Sequence, residues 1–132
     1  MSSVASWLVR RRGVVILGAV LTVVGWWFSA YPRGMAMAWW DGVRGRDIEK
    51  IYGMMQGTDP EYARLLRERY GVEFDVVAGC VVTSELRQYA DGYNAVSRPR
   101  VRAKWGKDVF TECLVDATAL VNEALQKAGV AP

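Results

Sequence analysis

An uncharged run of 18 residues, Gly13 to Ala30, follows three consecutive arginines, Arg10, Arg11 and Arg12, and is closed by aromatic residues and Pro32. As a helix rising about 1.5 Å per residue it covers roughly 27 Å, close to the ~30 Å of hydrocarbon that one membrane-spanning helix must cross. The run is longer than the apolar core of a secretory signal peptide, the alternative reading, and bulky Phe28 stands where a cleavage site after Ala30 needs a small residue. The sequence therefore predicts a retained helical anchor over residues 13–31.

Basic residues next to a span are held on the cytoplasmic side, so Arg10, Arg11 and Arg12 favour residues 1–12 inside and the remainder outside. Trp26, Trp27, Trp39 and Trp40 suit the outer membrane–water interface, where an indole buries its rings and keeps its N–H among headgroups. Residues 32–45 then read as an interfacial linker loosened by Gly42 and Gly45, and 46–132 as a periplasmic helical domain. The chain has 17 basic and 14 acidic residues. The arginine triplet accounts for the whole excess, so a general basic field for nucleic acid is not expected.

Within the domain the punctuation is mostly helical. Ile48, Ile51, Tyr52 and Met55 recur at helical spacing and predict a short helix ending at Gly57. Thr58, Pro60 and Glu61 form a start signal with a capping box, Tyr62, Leu65, Leu66 and Tyr70 give that helix its apolar stripe, and Gly71 stops it. Val72 to Ala78 alternates as an extended segment with no evident partner. Thr83 or Ser84 caps a helix lined by Leu86, Tyr89, Ala90, Tyr93 and Val96 and disturbed at Arg98 and Pro99. A final helix carries Val109, Cys113, Ala117, Leu120, Val121, Ala124, Leu125 and Ala128 on one face and ends at Gly129. The fold class expected is thus mainly α: one transmembrane helix and an all-α domain of about four helices with one extended segment at 72–78.

The chemistry-bearing residues are sparse. There is no histidine, which removes the usual general base and the commonest metal ligand, and no glycine-rich phosphate loop is present. No catalytic residue, metal site or cofactor is expected. Glu73 and Asp75 share a strand face, a spacing that suits solvent as well as a cation. Cys80 and Cys113, the two cysteines, pair as a disulfide if the domain is periplasmic, which would stabilise it by about 3–4 kcal/mol in the chain-entropy account. Tyr52, Tyr62, Tyr70, Tyr89 and Tyr93 are expected to meet in the core.

Two features point to partners. Gly18, Thr22 and Gly25 place small residues on one stripe of the anchor, a seam for another membrane helix. Arg98, Arg100, Arg102, Lys104 and Lys107, with Trp105 among them, form a cationic strip if the chain around Pro99 is extended, suited to anionic lipid headgroups or an acidic partner. The sequence is accordingly read as a non-catalytic accessory subunit of a bacterial inner-membrane complex, in contact with other integral membrane subunits and with lipid. The alternative is a free-standing anchored module that captures a peptide or small ligand, although a small-molecule ligand is the less expected partner.

Overall fold

The extended segment at 72–78 finds its partner in residues that the helical spacing had assigned to a helix. In the computed structural model, which describes residues 2–129, the elements run α1 (Ser2–Phe28), α2 (Ala30–Val43), β1 (Asp47–Tyr52), α3 (Asp59–Tyr70), β2 (Val72–Ala78), α4 (Ser84–Trp105) and α5 (Val109–Lys127). The side chains of residues 2–11 and of Trp27 lie outside the described set. β1 and β2 pair in parallel, Asp47 opposite Val72 through Ile51 opposite Val76, with an irregularity before Tyr52 and Ala78. A parallel pair needs a crossover, and α3 supplies it, so the domain is built on a β–α–β unit. The expected helix at 48–55 is corrected to a strand: Ile48 and Ile51 are a turn apart on a helix, but Asp47, Ile48 and Glu49 are all buried, which erases the alternation that marks a half-exposed strand.

The transmembrane helix expected over residues 13–31 is likewise not found as one straight helix. α1 ends at Phe28, Ser29 is extended (φ −101°, ψ 115°), and α2 begins at once. Pro32 explains the break, because in a continuous helix its ring would clash with the Phe28 carbonyl; in the first turn of a new helix its missing N–H costs nothing. No single helix among the described residues is long and apolar enough to cross a membrane; Arg12–Trp26 and Ala30–Val43 meet that test only together, bent by 83°. The linker expected at 32–45 is therefore mostly α2.

α2 packs along α4 through small residues. Ala30, Gly34 and Ala38 are buried on α2, Ala90 and Gly92 on α4. A Cβ at Gly34 would overlap the Tyr89 carbonyl oxygen, and one at Gly92 would overlap the Tyr31 carbonyl oxygen. Each helix thus presents a glycine notch to the other's backbone, and the absence of side chains there allows the close approach.

The main core lies between α3, α5, the start of β2 and the end of α4, where Leu66, Val72, Val101, Val109, Cys113 and Ala117 are buried together with Tyr62, Leu65, Tyr70 and Phe110. Fully burying a Leu or Val side chain contributes about 1.5–3 kcal/mol. A smaller cluster of Ala38, Ile48 and Tyr93 joins α2, β1 and α4. The five tyrosines do not form one interior: Tyr62 and Tyr70 belong to the main core, Tyr93 to the smaller cluster beside Tyr89, and the Tyr52 hydroxyl donates to Asp91 at 3.2 Å.

Two helix ends form as their local sequence signals. Gly71 takes a left-handed φ of 66° after α3, and Thr83 caps α4 by accepting from the Leu86 N–H at 3.2 Å. The capping box at Thr58 and Glu61 does not form, since the Thr58 side chain makes no cap bond and Glu61 pairs with Arg64 instead. α4 also runs through Pro99. Ala95, whose carbonyl loses its donor, and Pro99 are both exposed, so that carbonyl is open to solvent.

Candidate functional site

The polar residues of the domain converge where α4 lies along the edge of β1. The Lys50 N–H donates to Asn94 Oδ1 at 2.9 Å, Asn94 Nδ2 donates back to the Lys50 carbonyl at 2.6 Å, and the Ser97 hydroxyl donates to the Ile48 carbonyl. Those backbone groups would otherwise need a third strand. Asn94 and Ser97 are three apart and so share one face of α4.

Next to this seam three carboxylates are buried. Glu49 is 1% exposed; its Oε2 accepts from the Tyr62 hydroxyl at 2.7 Å and its Oε1 from Arg98 Nε at 2.9 Å. Asp47 accepts from Arg100 Nε at 3.1 Å and Lys104 Nζ at 2.8 Å. Asp41 accepts from the Tyr93 hydroxyl at 2.7 Å, with Arg46 3.6 Å away. Burial alone would raise the Asp47 carboxyl, but hydrogen bonds and charge from Lys104 and Arg100 outweigh it and hold the group below the usual carboxylate range. Burial, followed by the nearby Glu49 charge, pushes the Tyr62 phenol far above its ordinary value; burial and the Asp41 bond do the same to Tyr93. Both oxygens of Glu49 and of Asp47 are occupied by donors from the chain itself, which suits them to holding elements together.

This lattice accounts for the basic strip. The chain around Pro99 is helical, so Arg98, Arg100, Arg102 and Lys104 diverge, and each meets an acid: Glu49, Asp47, Asp108 and Asp47 respectively. Lys107 pairs with Glu112 at 2.7 Å, and Trp105 packs edge-on to Tyr70 at 5.1 Å between ring centres. Arg100 also donates to the Ala38 carbonyl at 2.7 Å and lies against Gly42, tying the end of α2 to the start of β1. Glu73 and Asp75 pair across the surface with Arg46 and Lys50.

The expected disulfide is absent. Cys80 is an exposed free thiol in the segment after β2, while Cys113 is a buried free thiol inside the main core. The pairing expected from the compartment does not form because Cys113 is enclosed in the main core while Cys80 lies at the surface, and burial raises the Cys113 thiol. Gly18 and Gly25 have open space where a Cβ would stand, and Thr22 donates to the Gly18 carbonyl of its own helix at 2.8 Å. The side chains of Arg10, Arg11 and Trp27 lie outside the described residues; Trp26, Trp39 and Trp40 are exposed.

Two open clefts flank the lattice. One, of about 410 Å³, occupies the elbow of α1, α2 and α4 and is lined by Trp26, Met37, Leu86 and Tyr89, with Arg33 bonded to Glu85 beside it. The other, of about 460 Å³, opens at the start of the two strands between Arg46, Arg67, Glu73 and Asp75. The residues that sequence reasoning passed over are the small ones of α2. Ala30, Gly34, Ala38 and Gly42 recur every four positions, a signal plainer than the one taken from Gly18, Thr22 and Gly25. No protein family, curated protein or solved structure matches the chain.

Proposed function

We propose that the protein is a non-catalytic accessory subunit of a bacterial inner-membrane complex, anchored through α1 with residues 1–12 in the cytoplasm and the domain on the periplasmic face. The observation that carries this reading is the surface of α1. Val14, Val15, Ile16, Leu17, Val20, Leu21, Val23 and Val24 are exposed around the helix, and Phe28 is 83% exposed. Monomers in water rarely leave an apolar patch beyond a few hundred Å² uncovered, whereas lipid covers one without cost. α5 adds support, because Leu114, Val115, Leu120 and Leu125 are also exposed; Leu114 and Leu125 lie on one side of the helix, where a partner subunit could cover them.

The test is extraction and co-purification from native membranes. The tagged chain should stay in the pellet through an alkaline carbonate wash, and mild detergent should release it with other integral subunits at fixed stoichiometry. Release by carbonate would remove the anchor; recovery alone from every mild detergent would remove the complex. A second reading, an anchored binding module, is favoured by the apolar elbow cleft at Trp26, Met37 and Leu86. Saturable binding of an apolar probe, abolished by Leu86→Trp, would support that reading instead.

A further inference from the structure

We infer that the elbow cleft between α1, α2 and α4 seats the headgroup of one zwitterionic phospholipid with a primary amine, phosphatidylethanolamine, its phosphate on Arg33 and its ammonium on Glu85. This rests on the reading of α1 as an anchor and goes beyond it, because an anchor alone selects no particular lipid.

The walls of the cleft come from three elements. Trp26 closes it from α1, Met37 from α2, and Leu86 and Tyr89 from the first turns of α4, around about 410 Å³ of open space that also meets Arg33 and Glu85. Apolar walls with a few convergent polar groups, at a volume within about 300–1,000 Å³, are the usual make-up of a small-molecule site. α1 and α2 meet at 83°, and a space touched by both Trp26 and Met37 lies inside that bend. A bilayer entered by α1 presents its outer headgroups to the inside of the bend, at the depth where an indole such as Trp26 settles. Val23, three residues earlier on the same side of α1, is 66% exposed and gives an acyl chain a path down the helix.

The charge pattern selects the headgroup. Arg33 donates a terminal nitrogen to Glu85 Oε1, while its Nε is buried with no acceptor, the one such side-chain atom among the described residues. Buried donors are ordinarily met, and a phosphate that takes the guanidinium fork supplies acceptors for more than one of its nitrogens. Glu85 is 67% exposed and accepts Arg33 through Oε1 alone, so Oε2 is open to a second donor. The pair is neutral in sum. An anionic headgroup would leave one charge unbalanced, and a trimethylated amine has no N–H for the carboxylate, whereas a primary ammonium offers three.

The test uses the full chain, purified in dodecyl maltoside and offered equal amounts of dioleoyl phosphatidylethanolamine, phosphatidylglycerol and phosphatidylcholine, with retained lipid counted by native mass spectrometry. One phosphatidylethanolamine per chain should be kept, about fivefold over either competitor, the selectivity of one part-exposed ion pair. Glu85→Gln should bring the three lipids level, and Arg33→Gln should lower the retention of all three. Equal retention by the unmutated chain, or a preference that survives Glu85→Gln, overturns the inference. Displacement of the lipid by excess O-phosphoethanolamine also overturns it, because the ligand would then be a water-soluble amine phosphate. A carbonate wash of native membranes separates this failure from that of the anchor. A chain that stays in the pellet but shows no lipid preference loses the headgroup seat and keeps the anchor, while release by carbonate overturns both.

Discussion

The Tyr62 hydroxyl donates at 2.7 Å to Glu49, a carboxylate that is 1% exposed and is also held by Arg98. The bond links α3 to β1, and Arg98 links β1 to α4, so one acidic side chain joins three elements. Removing one partner of a buried charge pair leaves the other uncompensated, a loss of about 3–5 kcal/mol. Glu49→Ala removes the buried member and leaves Arg98, whose side chain is 42% exposed, to water, so its cost should fall below that, at about 1–3 kcal/mol. Tyr62→Phe should cost about 1–3 kcal/mol, and the double variant less than the sum. Denaturant unfolding of the four proteins checks this; additive costs would mean that the two side chains act independently.

Stability should fall at both ends of the pH scale, for separable reasons. Tyr62 and Tyr93 have raised phenols in the folded chain, whereas unfolded they ionise near their ordinary value of about 10. Above that pH the unfolded state binds fewer protons than the folded one, so stability declines as pH rises. Tyr62→Phe should flatten part of that alkaline decline. Asp47 has a lowered carboxyl; its contribution is complete above the unfolded value of about 3.9 and is lost as pH falls through the folded one. Asp47→Asn should lower the neutral-pH midpoint and shallow the acid limb, read by thermal unfolding across the pH range.

Filling either notch should separate α2 from α4. In a free helix Gly→Ala is favourable by roughly 1 kcal/mol, but at Gly34 and Gly92 the added carbon meets backbone of the opposite helix, and backbone does not step aside as a side chain does. Gly34→Val and Gly92→Val should each destabilise by about 1–3 kcal/mol or more. Gly42→Ala, which meets only the Arg100 guanidinium, should be milder. Melting temperatures in one detergent rank the three, and equal effects would refute the backbone contact.

The two thiols should differ in reactivity by their surroundings. Cys80 is exposed and Cys113 buried among aromatic and aliphatic side chains with a raised thiol. A water-soluble maleimide should label Cys80 within minutes and Cys113 only after denaturant is added. An intact mass two hydrogens lighter in the unreduced native protein would restore the bridge.

The helices were legible where their ends carry local chemistry. Thr83, Gly71 and the apolar face of α5 over Val109, Cys113 and Ala117 each mark themselves within a few residues, and the alternation at Val72 to Ala78 marks β2. β1 was hidden because its pairing is parallel: the partner lies beyond a whole helix, and its neighbour on the other edge is α4, whose Asn94 and Ser97 stand in for a strand. α2 was hidden by its glycines, which read as breaks but act as contact surface. The basic residues of α4 suggested a free strip because sequence shows charge without distance, and their acids lie 49 to 57 positions earlier for Arg98, Arg100 and Lys104.

Arg100 reaches back across 62 residues to bond the Ala38 carbonyl. Ribosomes add about 5–20 residues per second, so roughly 3–12 s of synthesis separate the two ends of that bond. Throughout that interval the notched face of α2 has no helix to fill it and the outer edge of β1 has no side chains to cover it. A chain stalled before α4 is thus a sticky intermediate, and the arrival of one late helix completes the seam, the sheet edge and the buried charges together. Biogenesis therefore has a vulnerable period whose end is set by the appearance of α4, whatever becomes of the helices made before it.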